Sequence, residues 1–339
     1  MVIPSFELEK DVMNILRLVR EKLDKEKKVV ANILQNYRWI PLDKDITCKC
    51  AAVDSSFLII ESRIGFIYVI QGVTVLYTIE NNLAKRVGIK SFSDAGFIDI
   101  QATKSHFIAK KSIYKKVLTE YAYTLELNNL LNITEELGCD LALLDGSFIS
   151  FIMDRRIKDS KVYIESVKNV YSLEEIEEYK IKSFEKLFKH RYTVFLAKSS
   201  SAGFYTQGLY PDMYILELAR LYKIEPYSSS GFLEPLTIDV KNVLSKYVKE
   251  FNIPTNEFTI TYIRLSPGIP VYQLTFPYKM SEDDLKYVFM CLKKYSPTGY
   301  PMPLEYVHKL SKLPRRKLIN TMMMIGIPIV SGRELIELN

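Results

Sequence analysis

The chain has 339 residues, of which 48% are hydrophobic and 25% are charged, and its net charge is +6. This length permits one large domain or two, with a sizeable buried core in either case. No apolar run is long enough to span a membrane, and residues 1–10 lack the apolar centre of a secretory signal, so we predict a cytoplasmic protein without a membrane segment. The mild basic excess permits a polyanionic partner.

Residues 5–42 predict a long amphipathic helix, because apolar side chains recur at three- and four-residue intervals among charged ones. The apolar positions are Val12, Ile15, Leu16, Val19 and Leu23. A helix of this kind ahead of the first core strand could also dock on a partner subunit.

Residues 51–56 indicate the end of a buried strand with an acid at its tip. Small and β-branched residues lead up to Asp54, after which Ser55 and Ser56 are expected to turn the chain. The residues that follow are rich in β-branched and aromatic side chains, and they predict strands that pair antiparallel because the links between them are short. Around Asp94 the pattern breaks, which predicts a loop.

Residues 112–137 predict a helix that carries Glu120 and Glu126 on different sides, and Gly138 is a favourable residue for its C-terminal end. The apolar run that follows ends in Asp145, with small turn residues after it. We therefore predict an α/β fold with a ribonuclease H-like core, in which helices flank a mixed β-sheet, and with helical additions. This analogy concerns the fold and settles no function by itself.

The two acids at strand ends indicate a metal site. Ligands and catalytic groups collect at strand ends in α/β sheets, and a carboxylate buried there is costly unless it is paired, hydrogen-bonded or bound to a metal. Two such acids with a third between them predict a site for a hard cation with oxygen ligands. Either motif alone is equally well explained as a strand end with an Asx turn or a helix N-cap.

Two later segments carry further candidates. Residues 154–160 predict a charged loop, and a strand at residues 192–196 leads to Lys198 and three serines, which could hold a phosphate or form a plain polar loop. Asp212 precedes a helix, so the favoured interpretation is a first-turn acid or N-cap, and the alternative is an extra acid that faces the metals.

The C-terminal part contains a Gly- and Pro-rich loop, residues 296–303, which leads into a helix with His308. A single histidine on a helix is more often packed or exposed than catalytic. The densest basic patch of the chain follows, and it is a plausible contact for the phosphates of a nucleic acid. Its residues include Lys312, Arg315 and Arg316.

These segments together resemble the NurA family, the archaeal DNA end-processing nucleases encoded beside the HerA translocase. The resemblance lies in Val53-Asp54-Ser55-Ser56, the helix with Glu126, Leu144-Asp145-Gly146-Ser147, and Gly299-Tyr300-Pro301 followed by His308. The matching pieces occur in order and span most of the chain. We therefore predict one NurA-type domain over residues 1–339. In it, residues 1–45 form an N-terminal helical extension, residues 46–220 the ribonuclease H-like core, and residues 221–339 a C-terminal β/α part that completes the active site.

The resemblance implies manganese-dependent DNA cleavage, with magnesium as the alternative ion and one or two ions in the site. It implies 5′-to-3′ exonuclease action on single- and double-stranded DNA and endonuclease action on single strands. It also implies a ring-shaped homodimer, a complex with the hexameric HerA-type ATPase, and a functional link to the Mre11–Rad50 pair in double-strand-break resection during homologous recombination.

The family's functional residues transfer to this chain one by one. Asp54 and Asp145 match the two metal-ligand aspartates. Glu126 is assigned as the third acid, although the spacing does not exclude Glu120. The resemblance also transfers Tyr300 and His308 as catalytic residues, His308 as a further metal ligand, and Asp212, less clearly, as a fourth acid.

Two other functions remain open at this point. One is a non-catalytic nucleic-acid-binding adaptor that keeps the fold as a docking platform, and the intact aspartate pair argues against it. The other is an RNA-directed nuclease of the Argonaute type, which shares the ribonuclease H-like core but normally requires a longer, multidomain chain.

Overall fold

The computed structural model describes residues 6–42, 44, 46–62, 65–102, 111–152, 160–167, 169–190, 192–240 and 256–327. The predicted charged loop therefore lies outside the described residues, apart from Ser160. In chain order the elements are α1 (Phe6–Leu34), β1 (Trp39–Pro41), β2 (Cys50–Ser62), β3 (Gly65–Glu80), β4 (Leu83–Ala102), α2 (Lys111–Leu137), β5 (Leu141–Asp145), α3 (Phe148–Ile152), β6 (Ser160–Ser166), β7 (Val170–Ser172), α4 (Leu173–His190), β8 (Tyr192–Ala197), α5 (Asp212–Leu221), β9 (Gly231–Leu233), β10 (Leu236–Asp239), β11 (Glu257–Arg264), β12 (Tyr272–Phe276), α6 (Glu282–Lys294), α7 (Met302–Ser311) and α8 (Arg315–Met324).

The described strands form one mixed sheet of twelve strands in the order β1-β9-β11-β12-β8-β5-β2-β3-β4-β6-β7, with β10 paired to β11. The central strands β2, β5 and β8 run parallel to one another. The neighbours β2, β3 and β4 pair antiparallel through short links, as predicted. This is the strand order expected for a ribonuclease H-like core, so the predicted fold class is confirmed.

Helices cover both faces of the sheet because side chains alternate along each strand. On β2, Val53 packs into a core that contains Leu127 of α2, whereas Ala52 packs into a second core that contains Phe289 of α6 and Val307 of α7. The parallel strands are apolar on both faces, as expected for strands buried between layers. No helix among the described residues is both long and apolar enough to cross a bilayer.

The N-terminal helix is shorter than the pattern predicts. It ends at Leu34, and residues Trp39–Pro41 form the edge strand β1, which pairs antiparallel with β9. Trp39 and Ile40 are buried in this strand, so tertiary pairing overrides the helical periodicity there. Val30 and Leu34 are buried, whereas four of the five predicted apolar positions are about half exposed: Val12, Ile15, Leu16 and Val19.

The predicted turn at Ser55 and Ser56 is wrong, because β2 continues to Ser62 and pairs with β3 along its whole length. Only the parallel pairing with β5 stops, at Val53 opposite Leu144. The two serines are therefore strand residues next to the end of a shorter neighbouring strand.

The predicted loop at Asp94 is also wrong, because this residue lies within β4 and pairs with Ile70. Its carboxylate accepts hydrogen bonds from the hydroxyl groups of Tyr68, Tyr121 and Ser166, each at 2.8 Å. These three donors compensate the carboxylate for the loss of water, so the strand tolerates an acid here.

Candidate metal centre

Asp54 and Asp145 lie side by side because of the register of two parallel strands. Val53 of β2 is paired with Leu144 of β5, so the next residue on each strand is an aspartate. Alternation along the strands points both carboxylates to the face covered by α6 and α7. Their side chains are 14% and 26% exposed, so they are largely but not completely withdrawn from water.

His308 joins this pair from α7, which lies across β2 and β3. Its Nδ1 atom is 2.9 Å from Oδ2 of Asp54, and its side chain is 46% exposed. One ligand atom from each of Asp54, Asp145 and His308 lies within 4.8 Å of the others. Three donor atoms at this separation can contact a single cation after small adjustments of the side chains.

Hydrogen bonds fix the end of α7 to the sheet. The hydroxyl of Ser311 donates to Oδ2 of Asp54 at 3.1 Å. The hydroxyl of Ser56 donates to the carbonyl of Ser311, and Nε2 of Gln71 donates to the carbonyl of Leu310 at 3.1 Å. These contacts position His308. Gln71 and Ser311 belong to no motif that the sequence offers, and Ser56 lies in the Asp54 motif but was expected to form a turn.

The charge of Asp54 is disfavoured in the folded protein. Burial raises the pKa of its carboxyl group, and the nearby Asp145 carboxylate raises the pKa further, whereas the hydrogen bonds with His308 and Ser311 oppose the rise. A bound cation would relieve both the desolvation and the repulsion between the two acids.

Glu126 approaches from the opposite face of the sheet. It lies on α2, and its Oε1 atom accepts a hydrogen bond from the hydroxyl of Ser55, which follows Asp54 on β2. Glu126 is only 8% exposed. Burial raises the pKa of Glu126 to about 8, with a further contribution from the negative charges of Asp54 and Asp145, while the Ser55 hydrogen bond lowers it. The structure thus brings Glu126 close enough to both aspartates to interact with their charges.

The rival acid Glu120 has a different environment. Its carboxylate forms an ion pair with the ammonium group of Lys180 on α4, and both side chains are almost completely buried, at 0% and 1% exposure. Lys180 also donates to the carbonyl of Phe151 at 3.0 Å. Glu120 therefore contributes to the packing of α2 against α4, and the structure does not bring it to the aspartate pair.

Lys198 and Tyr300 complete the rim of the centre on the side of Asp145. The Lys198 ammonium nitrogen lies 2.8 Å from Oδ2 of Asp145 and 4.9 Å from the centre of the Tyr300 ring. The Tyr300 hydroxyl is buried and has no hydrogen-bond partner within the described part of the chain. Burial, followed by the charge of Asp145, raises the pKa of Tyr300, so the phenol keeps its proton and can donate it in a hydrogen bond.

The position of Tyr300 is set by the loop between β11 and β12. Gly299 has φ of +88°, and a Cβ atom there would lie 2.7 Å from a methyl carbon of Ile269. The guanidinium group of Arg264, which is fully buried, donates to the carbonyl of Ile269 and, at 2.9 Å, to that of Leu216. A buried arginine in an apolar strand is the sequence signal for this support.

Asp212 does not lie at the centre. Its carboxylate accepts backbone N–H hydrogen bonds from Phe204, Tyr205 and Thr206 at 2.7, 3.1 and 3.0 Å, and the Tyr262 hydroxyl donates to it at 3.1 Å. The side chain therefore fixes the loop ahead of α5, which is a structural role for a first-turn acid.

The basic patch lies where α7 meets α8. Lys312 and Arg316 are exposed, and Arg315 is partly exposed at the first turn of α8. Ile319 and Met322 anchor α8 to the distal half of β2 and to β3. The patch follows His308 directly along the chain, a position that is compatible with binding a nucleic acid near the centre. Its role in nucleic-acid binding stays a prediction.

The donor set fits a hard divalent cation. Two carboxylates and an imidazole converge, with a third carboxylate nearby. Carboxylate ligands suit Mn²⁺ or Mg²⁺, whereas structural zinc sites are typically rich in thiolates. The four cysteines are buried free thiols and do not belong to this group.

Comparisons with known proteins identify a matching family and similar folds. A family model described as "NurA domain" matches residues 48–313. A search of curated proteins finds no match to the chain. The solved structure of the NurA nuclease from Sulfolobus solfataricus superposes with a TM-score of 0.67 and 18% identity, covering 96% of this chain and 97% of that one.

Two further NurA structures are similar over nearly the whole chain. One was determined with manganese (TM-score 0.58, 13% identity), and it matches 94% of this chain and 98% of its own. The other was bound to dAMP and manganese (TM-score 0.57, 14% identity), with the same coverage of both chains. At these identities the structural similarity establishes the fold alone.

Proposed function

The chain belongs to the NurA family, and we propose that it is a nuclease that hydrolyses DNA with the help of divalent cations bound at Asp54, Asp145 and His308. One observation supports this proposal above the others. Two aspartates from adjacent parallel strands and a histidine more than 150 residues downstream present ligand atoms within 4.8 Å of one another. A purely structural aspartate pair would gain nothing from this concentration of negative charge.

We propose Mn²⁺ as the ion, because NurA structures have been solved with manganese, and Mg²⁺ as the alternative. Asp54, Asp145 and His308 would hold it, with Glu126 as the third acid. When bound, such an ion lowers the pKa of a water molecule and offsets negative charge on a phosphate.

The chain's own side chains have separate tasks in this proposal. Ser311 and His308 orient the Asp54 carboxylate, and the Ser55 hydroxyl orients Glu126. The phenol hydroxyl of Tyr300, which has no hydrogen-bond partner among the described residues, keeps its proton and donates to an oxygen of the scissile phosphate. A preorganised donor of this kind is most useful where negative charge develops during the reaction.

The proposed substrate is DNA that is bound mainly through its backbone. A NurA structure has been solved with dAMP, and this chain carries exposed Lys312 and Arg316 beyond the centre. Contacts with phosphates give affinity that falls with salt and carries little base specificity. We propose 5′-to-3′ exonuclease action on single- and double-stranded DNA, and endonuclease action on single strands, on the basis of the family alone.

The proposed biological setting also rests on the family. It comprises a homodimer, a complex with a hexameric HerA-type ATPase, and DNA end resection linked to Mre11–Rad50 in the cytoplasm of an archaeal cell. The half-exposed apolar residues of α1 are a candidate contact surface for a partner.

The test is Mn²⁺-dependent degradation of single-stranded DNA labelled at either its 5′ or its 3′ end. We expect the wild type to cleave and Asp54→Asn to lose cleavage while it keeps its fold and its DNA affinity. Asp283→Asn is the matched control, because that side chain is 91% exposed on α6. The order in which label is released from the two ends reports the polarity.

Three results would contradict parts of the proposal. Equal cleavage by the wild type and Asp54→Asn would mean that the centre is not the active site. Preferential cleavage of a matched RNA strand would favour the RNA-directed alternative. DNA binding without cleavage, even after addition of a HerA-type ATPase, would favour the adaptor.

A further inference from the structure

Lys198 binds the same carboxylate that the proposed cation requires. It follows β8 directly, and the parallel register of β5 and β8 places Asp145 opposite Leu196, two residues before it. The Lys198 ammonium nitrogen is 2.8 Å from Oδ2 of Asp145. The lysine side chain is 41% exposed and that of Asp145 is 26% exposed, so the pair lies at the mouth of the centre and not in the core.

Tyr300 offers the same lysine a second contact. Its ring centre is 4.9 Å from the Lys198 ammonium nitrogen, within the range of a favourable cation–π interaction. The ring is held in place by Tyr272, at 5.4 Å between ring centres, and by the loop under Gly299. The flexible lysine chain can therefore leave Asp145 without leaving the centre.

We propose that Lys198 is a built-in counter-ion of Asp145, which competes with the divalent cation for this carboxylate and turns to a DNA phosphate when the cation binds. This inference rests on the proposed function of the centre. An ammonium group and a divalent cation on the same carboxylate repel each other, so the binding of one weakens the binding of the other.

This competition couples the cation to DNA. Without DNA, Lys198 neutralises part of the charge of Asp145 and reduces the affinity of the centre for the cation. When a phosphate enters, it attracts the ammonium group and releases Asp145. Because coupling between two ligands is reciprocal, the cation also increases the affinity for DNA by the same factor.

The test is Mn²⁺ affinity without DNA, measured by electron paramagnetic resonance of the free ion, for the wild type and Lys198→Met. Removal of a partly exposed ion pair has a modest effect, so we expect Lys198→Met to bind Mn²⁺ about two- to five-fold more tightly. Lys182→Met is the matched control, because this α4 lysine is 61% exposed and pairs with Glu178, which does not belong to the centre. It should leave the affinity unchanged.

The second measurement repeats the titration with a short single-stranded oligonucleotide that carries phosphorothioate linkages. We expect this DNA to increase the Mn²⁺ affinity of the wild type more than that of Lys198→Met. Lys198→Gln should behave as Lys198→Met does, and thermal unfolding of both variants without metal checks that they are folded.

The outcomes separate the inference from the proposal on which it rests. If the wild type and Asp54→Asn bind Mn²⁺ equally weakly, the metal centre itself is wrong and the inference fails with it. If the wild type binds Mn²⁺ through Asp54 but folded Lys198→Met and Lys198→Gln bind it no more tightly, only the role of Lys198 is refuted.

Discussion

Replacement of Glu126 by glutamine should stabilise the metal-free protein at alkaline pH. The pKa of Glu126 is raised from 4.5 to about 8 in the folded chain, chiefly by burial. Between pH 4.5 and about pH 8, Glu126 holds a proton in the folded protein that it has released in the unfolded chain. The stabilisation that this protonated carboxyl group contributes is therefore fully present below pH 4.5 and is lost as the pH rises through about 8. Glutamine resembles the protonated acid and removes this dependence.

The size of the effect follows from the two pKa values. As the pH rises from about 5.5 to about 8.5, a single carboxyl group with this pKa shift lowers the free energy of unfolding by about 3 kcal/mol. The wild type should therefore lose about 3 kcal/mol more than Glu126→Gln over this interval.

The assay is urea unfolding at both pH values in the presence of EDTA, which keeps divalent ions from the centre. Glu135→Gln, an exposed acid on the same helix, is the control and should follow the wild type. Parallel pH profiles for the wild type and Glu126→Gln would refute the reasoning, because they would mean that Glu126 is solvated or compensated in the folded chain.

Three other substitutions test neighbouring parts of the structure. Glu120→Ala should destabilise the fold by about 3–5 kcal/mol in thermal unfolding, because it removes the buried carboxylate partner of Lys180, and a loss below about 1 kcal/mol would contradict this. Tyr300→Phe should reduce kcat about tenfold or more with little change in Tm, whereas unchanged kinetics would exclude the phenol as a phosphate donor. Gly299→Ala should cost more than about 1 kcal/mol through its φ of +88° and its contact with Ile269, and an unchanged Tm would show that the loop adapts.

The candidate aspartates could be found in the sequence because local pattern is enough to place them. An apolar run that ends in a single acid occurs twice, before Asp54 and before Asp145, and two such strands need only be parallel neighbours for their acids to meet. The α2 helix was likewise predictable, since apolar residues recur along its whole length and Gly138, with φ of +66°, ends it in the left-handed conformation that glycine favours.

The remaining geometry depends on contacts between residues that are distant along the chain. Spacing could not choose between Glu126 and Glu120, because both lie on the same helix and only Ser55 on one side and Lys180 on the other distinguish them. The continuation of β2 beyond Asp54 depends on the length of β3, and the place of His308 depends on the docking of α7 on the sheet. Local sequence therefore determined which side chains could perform chemistry, whereas the packing of the helices and strands decided which of them share one site, since burial and charge act through space and not along the chain.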